Sequence, residues 1–264
     1  MARHRIQYGS RHGQHGDLWV PDDPRPLYPV VVLLHGGFWK AVYTKRLMRP
    51  LAEDVAARGW VAWNLEYRRV GGFPPGGWPA TFEDVASGVD HLAQLAGPYR
   101  LDLSRVITVG HSAGGHLALW AAARSRLPPG APGATGAPGA AVEVPLAGAI
   151  GLAPVGDLVE GARQVLGGGA VARLLGGLPE QHPERYAWAS PSALLPLGVP
   201  QVLVHGDADG AVPVAMSRRY VERAQLAGDR ATLIELAGVG HMALIGPSST
   251  AWSATVEHVG RLLA

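Results

Sequence analysis

The sequence predicts an α/β fold, a mostly parallel central sheet with helices on both faces. Three observations predict it. Short, β-rich apolar runs alternate with amphipathic helical stretches along most of the chain, and strands buried on both faces are what a parallel sheet between helical layers requires. Several of these runs stop at Gly-rich or Asp-containing loops, as in Leu34-His35-Gly36-Gly37 and Val204-His205-Gly206-Asp207. Such sheets bind ligands beyond the carboxyl ends of their strands. One loop of this kind holds a serine between glycines, with a strand before it and a helix after it.

No element is assigned before Pro29. Pro29–Leu34 (PVVVLL) reads as a central strand. Thr44–Arg58 carries Leu47, Met48, Leu51 and Val55 at helical spacing and stops before Gly59, a C-cap. Trp60–Tyr67 is a second strand. Pro79–Ala96 is one helix, with proline in its first turn and Phe82, Val85, Val89, Leu92 and Leu95 on its apolar face. Arg105–Val109 is a third strand and Ala113–Arg124 a third helix. Leu146–Leu152, Gln201–Val204 and Ala231–Leu236 are further strands, and Val214–Ala227 and Thr250–Leu263 further helices.

Two segments stand apart. Pro128–Ala140 (PPGAPGATGAPGA) has no apolar face and reads as an exposed flexible loop. Residues 155–200 hold helical pieces (Leu158–Leu166, Ala170–Leu175) separated by Gly and Pro. A long connection in a compact domain is usually functional, so a small lid over the site is expected. The 264 residues suit a single domain of this class, 1–264.

Composition narrows the partners. Apolar residues are 47% and charged residues 17%, with 23 Lys and Arg against 21 Asp and Glu, and no basic run forms a nucleic-acid patch. There is no cysteine, which excludes disulfides, thiolate nucleophiles and Cys-ligated zinc. No segment has the roughly 18 consecutive apolar residues of a membrane span, and the N-terminus lacks a signal-peptide core. A cytoplasmic protein without nucleic-acid or membrane partners is expected, and a homodimer is compatible with it.

The strongest chemical signal is Gly110-His111-Ser112-Ala113-Gly114, a G-x-S-x-G motif. It follows the strand RVITV and opens a helix, the setting of a nucleophile elbow. Glycines beside the serine let neighbouring backbones pass closely, and the turn exposes the hydroxyl. The amide of Ala113 would face a developing oxyanion. His35-Gly36-Gly37-Phe38-Trp39 follows the first central strand. Its amides, at Gly37 or Phe38, are candidates for a second oxyanion donor, and Trp39 for a pocket wall. In His205-Gly206-Asp207-Ala208-Asp209, Asp209 lies deeper in the loop and is the favoured carboxylate, while Asp207 suits a turn. Of 11 histidines, His241, in Gly238-Val239-Gly240-His241-Met242, alone follows both Ser112 and these aspartates among the motifs, giving the order Ser, Asp, His. His111 and Trp188 are further pocket candidates. Glu66, Tyr67, Arg68, Arg69 and Asp84 read as structural.

Together these motifs resemble the α/β-hydrolase superfamily over nearly the whole chain. HGGFW, GHSAGG, YAWASP (Tyr186–Pro191) and GVGHM look most like small carboxylesterases and arylformamidase (kynurenine formamidase)-like hydrolases. The hormone-sensitive-lipase group shows HGGG and a longer N-terminal cap. Here Phe38 replaces the third glycine and only 34 residues precede His35, which argues against that group. The resemblance implies a cofactor-free and metal-free hydrolase of a small-molecule ester or amide, with Ser112 as nucleophile, His241 as base and Asp209 as its orienting carboxylate. Cleavage of small carboxylic esters is the first expectation, hydrolysis of N-formyl-kynurenine-like formamides the second. A non-catalytic binder on the same fold is the rival of another class.

Overall fold

A computed structural model describes residues 1–134 and 144–264. An eight-stranded sheet runs through the molecule in the order β1-β2-β4-β3-β5-β6-β7-β8. Its strands are β1 (Ala2–Gln7), β2 (His15–Val20), β3 (Tyr28–Leu34), β4 (Val61–Leu65), β5 (Leu101–His111), β6 (Gly148–Leu152), β7 (Gln201–Gly206) and β8 (Ala231–Leu236). The strands from β4 to β8 are parallel, and β1 and β2 add an antiparallel edge.

Strand β3 shows why the apolar run reads as central. Val30, Val32 and Leu34 enter one hydrophobic cluster, and Val31 and Leu33 enter the cluster on the other face. Helices α1 (Arg49–Ala57) and α9 (Thr250–Leu262) cover the second face through Leu51, Val55, Trp252 and Val259. The first face is covered by α2 (Ala80–Asp90), α3 (Leu92–Tyr99), α4 (Ala113–Ala122) and α8 (Val214–Leu226). Between β6 and β7 lie α5 (Leu158–Arg163), α6 (Leu166–Leu175) and α7 (Pro183–Ala189).

The structure corrects the sequence reading in several places. β1 and β2 are strands that the polar N-terminus does not announce, and α7 is a helix where none was assigned. The helix expected over 79–96 is two helices, parted at His91, where Gln94 donates back to the His91 carbonyl in a tight i→i+3 turn. The helix expected from Thr44 starts as a 3₁₀ turn (Lys45–Met48), capped by the Thr44 hydroxyl, before α1 begins. Helix α6 opens with Gly167, Gly168 and Gly169 at φ 59°, 69° and 79°, a left-handed turn that side chains rarely adopt. In the segment expected to be an exposed loop, Ala131 and Ala134 are buried and the Gly133 carbonyl accepts from Arg124. Residues 135–140 of that segment lie outside the described residues. Among the described residues, no helix is long and apolar enough to cross a membrane.

Candidate active site

The turn from β5 to α4 places Ser112 at φ 55°, ψ −116°, a conformation a side chain adopts only under constraint. The constraint is close packing of backbone. A Cβ on Gly110 would collide with the Gly114 carbonyl, and one on Gly114 would collide with the carbonyls of Leu34 and His35. A Cβ on Gly36 would lie 2.8 Å from the His111 carbonyl and 3.2 Å from Ser112 Cβ. Thus the loop after β3 lies directly against the serine turn. Ser112 N donates to the Leu152 carbonyl at 2.7 Å, tying the turn to β6. Its hydroxyl is buried and has no hydrogen-bond partner.

The loops after β7 and β8 bring Asp209 and His241 together. His241 Nδ1 lies 2.6 Å from Asp209 Oδ2. The other carboxylate oxygen accepts the amides of Ala211 and Val212 at 2.8 and 2.9 Å. His205 Nε2 lies 3.3 Å from Oδ2 and 3.0 Å from the Val212 carbonyl. Burial pushes the Asp209 pKa up, but the hydrogen bonds from His205, His241 and Val212 outweigh it and hold the carboxyl well below the usual carboxylate range. Asp207, the competing aspartate, accepts the Gly238 amide at 2.6 Å, holding the base of the His241 loop. Gly206 lets that loop approach, since a Cβ there would strike the Val239 carbonyl.

After β3, Gly37, Phe38 and Trp39 have φ values of 109°, 51° and 55°. Among the described residues, the amides of Gly37, Phe38 and Ala113 make no hydrogen bond. The loop is held from below. His35 Nε2 lies 2.9 Å from Glu66 Oε1, and its ring stacks on Tyr67, whose hydroxyl donates to the His35 carbonyl. Burial raises the Glu66 pKa, but His35, Arg69 and the Lys45 amide bring it down to about 2. The ion pairs Arg69–Glu66 and Arg68–Asp84 give these residues the structural place expected of them.

The pocket candidates divide. Trp39 is fully enclosed against the edge of His116, so it is packed in the core rather than lining an open wall. Trp188 is half-buried, its carbonyl accepts from Trp120 Nε1, and its ring lies 6.3 Å from that of Trp78. His111 points to His241: its Nε2 donates to the His241 carbonyl at 3.1 Å, and the rings are 4.4 Å apart. Burial, with His241 close by, pushes its pKa down to about 3. Sequence reasoning missed this contact and the Gly36 contact, because neither pair of residues is a local motif. His116, which the sequence places on a helix turn, is buried, and its Nε2 donates to the Ala189 carbonyl at the end of α7. The 155–200 segment reaches the loop after β3 at Gly167, whose carbonyl accepts from Lys40 and whose Cα lies against the Phe38 ring.

This arrangement gathers a strained serine, an Asp-paired imidazole and amides without partners at the carboxyl ends of parallel strands of one sheet. The BD-FAE family model matches residues 17–223. Esterase LipC of Mycobacterium tuberculosis is 29% identical over 257 residues, which span 91% of this chain and 60% of LipC. The chain spans 50% of a second relative from that organism, the probable carboxylic ester hydrolase LipM, at 28% identity over 83% of this chain. It thus spans less than two thirds of either relative. Esterase Est2 of Thermogutta terrifontis, solved with propionate bound, superposes with a TM-score of 0.76 at 25% identity, covering 99% of this chain and 93% of Est2. A truncated carbohydrate esterase from gut microbiota superposes with a TM-score of 0.81 at 19% identity, covering 98% and 94%. The fold is that of the α/β-hydrolases.

Proposed function

Because this chain belongs to the BD-FAE family, we propose that it is a serine carboxylic ester hydrolase that works through an acyl-enzyme. The observation that carries the reading is the His241–Asp209 pair, 2.6 Å apart, with His241 bonded through its carbonyl to His111, the residue before a strained serine whose hydroxyl has no partner. The esterases LipC and Est2 and the probable carboxylic ester hydrolase LipM, to which the chain is similar, support the same reaction class.

His241 carries its proton on Nδ1, bonded to Asp209, so Nε2 is free to accept. Ser112 Oγ attacks the ester carbonyl as His241 Nε2 takes the hydroxyl proton. The Ser112–His241 hydrogen bond is not formed in the resting site, where such contacts are often long and tighten on binding substrate. The tetrahedral oxyanion sits between the amides of Ala113 and of Gly37 or Phe38, and losing one such donor costs about 3 kcal/mol of barrier. His241 then gives its proton to the leaving alkoxide, releasing the alcohol. Water, deprotonated by the same nitrogen, attacks the acyl-serine and frees the acid and Ser112. The 155–200 segment acts as a small lid, with Gly167 on Phe38 limiting the acyl group to small sizes.

The test compares kcat/KM on p-nitrophenyl acetate and N-formyl-kynurenine, with Ser112→Ala as the blank. Ester turnover that disappears in Ser112→Ala supports the reading. A strong preference for the formyl amide would replace it with a formamidase. Absence of both, with no fluorophosphonate adduct on Ser112, would make the protein a binder.

A further inference from the structure

A cavity of about 760 Å³ opens on the antiparallel edge of the sheet, on the α1 face. Its floor is a row across three strands: Arg5 stands opposite Asp17, and Asp17 opposite Asn64. One step along, the row Arg3, Trp19 and Ala62 begins the apolar face that α1 covers, with Trp19 and Ala62 in the core. The sheet face therefore changes from apolar to polar where the cavity begins, although Asp17 and Asn64 are as buried as the core beside them.

The polar groups of the floor are unevenly satisfied. Asp17 Oδ2 is paired with Lys45 and with Arg3 at 2.8 Å, while Asp17 Oδ1 has no partner. Asn64 donates its amide to the Lys45 carbonyl, while its Oδ1 has no partner. Arg69 bonds Glu66 through Nη1, and its buried Nε has none. The three residues that carry these two acceptors and one donor all line the same cavity, and buried groups of this kind are ordinarily satisfied. At the rim the charge is cationic. Arg5 donates to the His15 ring at 2.9 Å, and among the described residues neither Arg5 nor Arg46 has a carboxylate partner. Burial and the nearby Arg5 push the His15 pKa down to about 4, so that ring accepts and adds no charge at neutral pH.

We propose that this cavity binds a small anionic polyol, a sugar acid or a sugar phosphate, with its anion held by Arg5 and Arg46 and its hydroxyls on the floor. Hydroxyl groups donate to Asp17 Oδ1 and Asn64 Oδ1, and a ligand oxygen accepts from Arg69 Nε. A bare anion satisfies only the rim, and a neutral sugar satisfies only the floor. Asp17 does not repel the ligand, because Lys45 and Arg3 already balance its charge. The site is separate from Ser112 but shares a wall with the loop after β3, since Glu66 lines the cavity and bonds His35.

Titration calorimetry on the full chain tests this with glucuronate, glucose 6-phosphate, glucose and inorganic phosphate. The chain is used both as wild type and as Ser112→Ala, so that binding is read without turnover and independently of the esterase reading. At least one of the two anionic polyols is expected to bind at least tenfold more tightly than both glucose and phosphate. Which of them binds decides between a carboxylate and a phosphate source. The double variant R5Q/R46Q, altered only at exposed positions, is expected to weaken that binding at least tenfold. Equal binding of phosphate and glucose 6-phosphate with no binding of glucuronate would overturn the polyol assignment. Unchanged affinity in R5Q/R46Q, or no binding by either anionic polyol, would overturn the site.

Discussion

Ser112 and His241 are held by opposite means. Ser112 is 1% exposed and is fixed by backbone sterics, with glycines at 110, 114 and 36 where no Cβ fits. His241 opens a short 3₁₀ turn (His241–Ile245) beside Met242, which is 57% exposed, and two longer-range hydrogen bonds hold it, from its ring to Asp209 and from His111 to its carbonyl. The difference teaches where fold and chemistry are coupled. Changes at the serine turn should damage both together, whereas changes around His241 should reach the chemistry and spare the fold.

The largest effect is expected from Gly114→Ala. Its Cβ would meet the Leu34 and His35 carbonyls, and those atoms cannot move without displacing β3 from β5. Overpacking of this kind costs about 1–3 kcal/mol or more, and ester turnover should vanish with it. Urea unfolding beside an activity assay measures both, and a stable, inactive protein would break the coupling. Next comes Asp209→Asn. Asparagine can still accept the amides of Ala211 and Val212, but it stabilises the wrong imidazole tautomer, so kcat should fall by about 10⁴. A melting temperature close to wild type would place that loss in chemistry alone. A smaller loss is expected for His111→Phe, which removes the bond to the His241 carbonyl. One hydrogen bond is worth about 1 kcal/mol, so kcat/KM should drop several-fold, to about one tenth at most. His111→Gln, which keeps a donor, should recover part of it. Equal losses in Phe and Gln variants would mean that His111 only fills space.

The same division explains what the sequence made legible. Ser112, Asp209, His241 and the Gly37–Phe38 loop could be singled out because each lies just beyond a strand end, and at Gly36, Gly110, Gly114 and Gly206 close backbone approach admits only glycine. Asp209 could be favoured over Asp207 from its depth in the loop, and the structure pairs Asp209 with His241 and Asp207 with Gly238. The contacts of His111 with His241 and of Gly36 with the serine turn join residues distant in sequence, and no local pattern encodes them. The edge strands were hidden for another reason. β1 alternates Arg3, Arg5 and Gln7 on the face it shares with Asp17, so it carries no apolar run, and backbone pairing with β2 defines it. Trp39 looked like a wall because it follows the glycine loop, but its packing against His116 shows only in three dimensions.

The smallest effect sharpens the comparison through pH. Burial and His241 push His111 down to about 3, and burial pushes His116 down to about 4, both from an ordinary 6.5. Both stay neutral in the folded chain while the unfolded chain takes up protons below pH 6.5. Their contribution to stability is therefore complete above that pH and is lost progressively as pH falls toward 4. Glu66, lowered from 4.5 to about 2, adds loss of the same sign below pH 4.5. Between pH 7 and 6 the loss is on the order of 1 kcal/mol per histidine. Thermal unfolding across pH 4–7 measures the slope, and His111→Phe should make it shallower by one proton's share, leaving that of His116. An unchanged slope would mean that the His111 ring takes up its proton as readily in the folded chain as in the unfolded one, so that burial does not hold it neutral.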